Sequence, residues 1–183
     1  MKMSTAIVAL ALLFAGCGSD GESTDKDTKA PNTATKTATA TQDASPGATM
    51  GAAAWSTRVK AICAKSAAKA SKAGENLRRR SAAAGDSKQE LAYKVLTYTS
   101  NALGPWLDQI DALPKPEGRE QEANKFIASM RNVGDLLGNT ATAIKQNDQT
   151  TGKRLLNQLK AKSVSVRSQA RALGIEECNP PAA

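Results

Sequence analysis

The chain predicts an all-α protein: an up-down-up-down antiparallel four-helix bundle that follows a signal peptide and a disordered linker. Three observations carry this. Apolar residues recur at spacings of three and four in four stretches of similar length beyond Trp55, the pattern of amphipathic helices. Aromatic residues in that region are limited to Trp55, Tyr93, Tyr98, Trp106 and Phe126, so the core must be built mainly from Ala, Leu, Val and Ile. Small aliphatic side chains suit closely packed helices, and the scarcity of β-branched and aromatic runs argues against sheets.

The first helical segment starts near Trp55 and runs to about Ala84, with Trp55, Val59, Ile62, Cys63, Ala70, Ala73 and Leu77 on one stripe. Gly85-Asp86 breaks it. Ser87-Lys88-Gln89-Glu90 has the form of a capping box, in which Ser87 and Glu90 satisfy each other's free backbone N–H groups. The second segment buries Leu91, Val95, Tyr98, Ala102, Leu103, Trp106, Ile110 and Leu113. Gly104-Pro105 falls inside it and predicts a kink rather than a stop, because the apolar period continues beyond. Pro114-Lys115-Pro116-Glu117-Gly118 ends it.

The third segment carries Ala123, Phe126, Ile127, Met130, Val133, Leu137, Ala141 and Ile144. Its Gly134 and Gly138 either weaken the helix or allow a neighbour to approach closely. Asn147-Asp148 closes it and supplies a cap for the fourth segment, which contributes Leu155, Leu156, Leu159, Val166, Ala170 and Leu173. Gly174 stands at the C′ position and Ile175 is its apolar partner.

Upstream of the helices the chain reads differently. Residues 18–54 are rich in Thr, Ala, Ser, Asp, Lys and Gly and lack Leu, Ile, Val and aromatics, so they cannot bury enough apolar surface to offset ordering entropy. They predict a flexible tether. Ahead of it, Lys2 precedes an unbroken apolar run from Ala6 to Ala15, half the roughly 20 residues needed to span a bilayer. The run leads through Leu12-Leu13-Phe14-Ala15-Gly16 into Cys17. This stretch resembles a bacterial lipoprotein signal peptide, with Phe14 where such signals usually carry Leu. The resemblance implies cleavage of residues 1–16, lipidation of Cys17 and anchoring of residues 17–54 and 55–183 to a membrane outside the cytoplasm.

Removing Cys17 leaves two cysteines, Cys63 and Cys178, in an oxidising compartment. In an antiparallel bundle the start of the first helix lies beside the end of the fourth. A tail turning back after Gly174 can bring the two sulfurs together, so a Cys63–Cys178 disulfide is expected. Trp55…Ile62-Cys63, Leu113-Pro114-Lys115-Pro116 and Leu173-Gly174-Ile175-Glu176-Glu177-Cys178 together resemble a broad group of secreted or lipid-anchored helical proteins of high-GC bacteria, especially actinobacteria. That resemblance implies the helical fold, the terminal disulfide and export, and no activity.

The chain contains no histidine. This excludes Ser-His-Asp and Cys-His catalysis, imidazole-ligated zinc and Glu-x-x-His di-iron bundles, so neither a cofactor nor a metal is expected. Asp108/Asp111 and Glu117/Glu120 are carboxylate pairs, read as solvated charges around the Pro-rich loop rather than an acid–base couple. Residues 55–183 hold 21 bases and 12 acids, a net +9. Arg78-Arg79-Arg80 is the densest basic cluster; adjacent helical residues point about 100° apart, so the three cannot share one face. They could contact an anionic lipid or cell-wall surface. Nucleic-acid binding is not expected, because no aromatic platform or groove-reading helix accompanies them. The functional expectation is a non-enzymatic envelope interaction or structural module, with an envelope protein or anionic wall or lipid partner. The alternative is a carrier of a small apolar ligand between the helices.

Overall fold

A computed structural model describes residues 49–178. The expected signal peptide, Cys17, most of the tether and residues 179–183 lie outside them. The element order is β1 (Thr49–Met50), α1 (Ala52–Ala83), α2 (Lys88–Asp111), β2 (Lys115–Pro116), α3 (Glu120–Lys145) and α4 (Gln149–Ala172), closed by a 3-10 turn at Glu176–Cys178. Four helices pack in sequence order, α1 on α2, α2 on α3 and α3 on α4, as the apolar periods require.

Two sets of contacts give the antiparallel order. At one end β1 pairs in parallel with β2, and Arg119 before α3 donates to the Ala172 carbonyl at the end of α4, at 2.6 Å. At the other end Gln89, opening α2, donates to the Ile144 carbonyl and to Asn147 Oδ1 at the close of α3, both at 2.7 Å. The ordered fold begins earlier than expected: residues 49–54 belong to the bundle rather than to the tether. Glu117 N donates to the Met50 carbonyl at 2.9 Å, Met50 packs against the core, and Ala52–Ala54 extend the helix ahead of Trp55.

The helix ends follow their local chemistry. Ser87 Oγ accepts from Glu90 N at 3.1 Å, one half of the capping box; the Glu90 carboxylate lies 3.9 Å from Lys94 instead of turning back. Asp148 caps α4 by accepting from Thr151 N at 3.0 Å. Gly174 has φ +68°, and Ile175 N donates to the Ala170 carbonyl at 2.9 Å, the closing bond of a Schellman motif. Asn147, with φ 57°, does the same for α3, where Asp148 N donates to the Ala143 carbonyl. Pro105 lies within an uninterrupted α2.

Burial is concentrated toward the β1–β2 end, where Trp55, Val59, Cys63, Ile110, Phe126, Val166 and Ile175 form one core. The rear of α1 is different. After Cys63 its next buried residue is Ser81; Ala70, Ala73 and Leu77, expected in the core, are only half-buried. α1 has 32 residues against 24–26 in its partners, and its inward positions there are Ser66, Ala70, Ala73 and Gly74, whose side chains have little surface to bury, with Leu77 the one large apolar side chain among them.

In α2 the buried face shares Trp106 and Ile110 with the expected one but is turned from it by about 70°. Leu96 and Leu107 are buried with Trp106 and Ile110, Leu91, Val95 and Tyr98 are half-buried, and Ala102 is exposed. The cause lies in α3. A Cβ on Gly134 would stand 3.6 Å from Leu103, and one on Gly138 3.1 Å from Ser100 Oγ. These notches admit the Ser100/Leu103 side of α2, and Ser100 Oγ donates to the Gly134 carbonyl at 2.8 Å. Close approach is the role of Gly138; at Gly134 a Cβ would meet Leu103 at ordinary contact distance.

Candidate functional site

The Cys63 and Cys178 sulfurs are 1.90 Å apart, at bonding distance, with their Cα atoms separated by 5.3 Å and their positions by 115 residues. Helical spacing puts Cys63 one turn beyond Val59 on the inner face of α1, and the Gly174 turn sends the chain back over it. Both cysteines are buried, and Lys60 meets Glu177 at 3.3 Å on the outside of the joint. Glu177 is held below the usual carboxylate range by a backbone N–H, helped by Lys60. Joined and covered, these sulfurs are neither nucleophiles nor metal ligands.

The carboxylates that could act as acid and base are occupied structurally. Asp111 accepts from Lys115 Nζ at 2.7 Å and from Arg131 at 3.0 Å, and Arg131 also reaches Asp108 at 3.3 Å. Lys115 first, then Arg131, hold Asp111 ionised at lower pH than a free aspartate. This cluster ties the end of α2 to α3. Glu120 accepts from Gly118 N at 3.0 Å and Glu117 is exposed, so Glu117 and Glu120 do not converge on a common point.

Asp86 accepts from Ser81 Oγ and Lys94 Nζ, both at 2.6 Å, and so locks the α1–α2 turn. Lys94, then Ser81, lower its pKa. Among the described residues no group of three or more His, Cys, Asp or Glu side chains could hold a metal ion. No helix among them is long and apolar enough to cross a membrane. Cys17 lies outside them.

The arginine triplet divides. Arg79 and Arg80 are exposed, and with Asn76 and Ala83 they line a shallow open depression of about 270 Å³; Arg79 donates to Asn76 Oδ1. Arg78 is half-buried on another side of α1. The larger basic feature was not apparent from the triplet alone. Arg58, Lys65, Lys69, Lys72, Arg79 and Arg80 are all exposed, and at 3.6 residues per turn they fall within an arc of about 100°. The spacings of seven, four, three and seven that separate Arg58, Lys65, Lys69, Lys72 and Arg79 were the available signal.

Charge is also segregated by helix. α1 carries eight Lys/Arg against one acid, Glu75, a net +7. α4 carries six Lys/Arg and no acid, a net +6. In α2 two bases face three acids, and in α3 three face three, leaving −1 and 0. The net positive charge of the bundle therefore resides on its first and last helices. Comparison with known protein families, with curated proteins and with solved structures finds no match to this chain.

Proposed function

We propose that this chain is an exported lipoprotein, anchored through Cys17, whose helical bundle is a non-enzymatic interaction module of the cell envelope. The observation that carries this reading is a contrast among its reactive groups. The cysteines are joined and the Asp86, Asp108 and Asp111 carboxylates are engaged by Lys94, Lys115 and Arg131, whereas six exposed cations of α1 have no ion-pair partner among the described residues. Groups suited to chemistry serve the fold, and the groups left over suit a surface. The anchor is supported by the apolar run ahead of Cys17 and by cysteine parity, since Cys63 and Cys178 account for each other.

The polarity of the bundle fits an anchored module. Thr49, where the described residues begin, lies at the β1–β2 end, and the rear of α1 extends the other way. Lipidation with two or more acyl chains would hold the protein stably, where one chain would be marginal.

Membrane fractionation of a Cys17→Ser variant tests the anchor: the variant should leave the membrane fraction with an unchanged helical spectrum. Continued retention overturns the lipoprotein reading. Crosslinking of the native protein in intact cells tests the module, and it should capture an envelope component repeatedly. Recovery of background alone removes that support.

A further inference from the structure

We propose that the exposed face of α1 is a docking ridge for a linear, phosphate-bearing polyanion of the cell envelope. This names the chemistry of the partner and rests on the interaction-module reading for its extracytoplasmic setting, though not on the lipid anchor.

The ridge is built by helical spacing. Arg58, Lys65, Lys69, Lys72, Arg79 and Arg80 share one side of α1 over a rise of about 33 Å, at 1.5 Å per residue. That is one cation per five to six Å, roughly. Every ionisable residue on this arc is a cation; Glu75, the one acid of α1, lies outside it. None of the six is ion-paired to another described residue, while Lys60, on a different side of the same helix, does pair with Glu177. The ridge therefore keeps its full charge, and six like charges in a row repel one another until an anion lies along them.

The shape selects the partner. A phosphodiester chain with three-carbon bridges repeats every six backbone bonds, about 7 Å at the reach per bond of an extended chain, so a flexible polymer of this kind can bring a phosphate to each of the unevenly spaced cations. A membrane surface fits less well. Interfacial helices insert an apolar face beside their cations, whereas α1 turns Trp55, Val59 and Ile62 toward the bundle and its exposed intervening positions are alanines such as Ala61, Ala64 and Ala68. The exposed large hydrophobic residue among those described is Val164, on α4. Charge of one sign over about 33 Å of helix and the lack of an insertable side chain favour a polymer.

The test is binding of the full chain, purified in neutral detergent, to poly(glycerol phosphate) across a salt series. With six contacts and the single-strand coefficient, log K should fall against log salt with a slope of about −4, roughly 300-fold between 50 and 200 mM. Replacing all six ridge cations by Gln should weaken binding at least about 30-fold at 50 mM salt and flatten the slope. A control of equal charge change, Lys88, Lys125, Lys145, Lys153, Arg154 and Lys160 to Gln, should alter it less than threefold. If the sixfold ridge variant loses its helical spectrum, Lys65→Gln/Lys69→Gln/Lys72→Gln should still weaken binding and halve the slope. Equal losses in ridge and control variants would reduce the effect to net charge and overturn the proposal. So would no binding at 50 mM salt, or tighter binding per phosphate to phosphatidylglycerol vesicles than to the polymer. These outcomes are independent of Cys17→Ser fractionation, so failure of the anchor and failure of the ridge are separable.

Discussion

Removing the disulfide should destabilise this bundle more than any other double substitution of comparable size. Cys63 and Cys178 are 115 positions apart and close nearly the whole of the described fold into one loop. In the chain-entropy model a loop of that length removes about 16 cal/mol/K from the unfolded ensemble, close to 4.8 kcal/mol at 25 °C. Ordinary domains are stable by only about 5–15 kcal/mol, so the bond contributes a third or more of the total. The perturbation is Cys63→Ala/Cys178→Ala, which leaves small apolar side chains in a site already buried from water. The assay is urea unfolding followed by tryptophan fluorescence, since Trp55 lies two turns from Cys63 in the same core. With an m-value of about 1.5–2 kcal/mol/M the midpoint should fall by roughly 2.5–3 M. Dithiothreitol should shift the unmodified protein equally once equilibrium is reached in urea, and slowly without it, because both sulfurs are covered. A midpoint lowered by less than 0.5 M would refute the loop-closure argument and place the stability in helix packing alone.

Other consequences can be measured on the same protein. Gly134→Ala should stabilise by about 0.5–1 kcal/mol through helix propensity, because its new methyl meets Leu103 at ordinary contact distance; Gly138→Ala should gain less or nothing, because its methyl must displace Ser100 Oγ. Thermal melts of the two variants decide this by their order. Gly174→Ala should cost about 1–2 kcal/mol, since φ +68° strains any residue with a Cβ, and the same melts report it. Asp86, Asp111 and Asp148 all have folded pKa values below the ordinary 3.8, lowered by Lys94, by Lys115 and by the Thr151 N–H respectively. The unfolded chain therefore binds more protons in acid, and their stabilisation is complete above about pH 5 and is lost as pH falls through the folded values. With no histidine to titrate, the melting temperature should be level from about pH 5 to 8 and drop below 4. A step near pH 6–7 would contradict this.

Much of the fold was legible because its determinants are local. The Ser87 and Asp148 caps and the Gly174 turn act within a few residues and have their expected places, and each of the four apolar periods marks a helix. The disulfide followed from cysteine parity and helix direction. What the sequence could not convey is which apolar stripe meets a partner. α2 has two candidate stripes, one through Val95 and Tyr98 and one through Leu96 and Leu107, and the choice depends on another helix, where Gly138 admits Ser100. The pairing of Thr49–Met50 with Lys115–Pro116 was illegible for a similar reason: two residues bonding through their backbone leave no side-chain pattern.

The rear of α1 brings these points together. Periodicity measures whether a helix has an apolar side, not whether anything covers it, so Ala70, Ala73 and Leu77 satisfied the pattern while remaining half-buried. Covering alanines would release little free energy, about 25 cal/mol per Å² of a small area. The rear of α1 is therefore not held by its core contacts alone; its Asp86 turn, fixed by Ser81 and Lys94, supplies the second attachment. A helix fastened at both ends and lightly packed between them exposes a long outer face. On that face the chain places six cations and no acid. Had solubility been the sole demand, mixed charges would meet it and would add i,i+4 support, as Glu90 and Lys94 do on α2. The single sign is what that argument leaves unexplained, and a bound polyanion explains it.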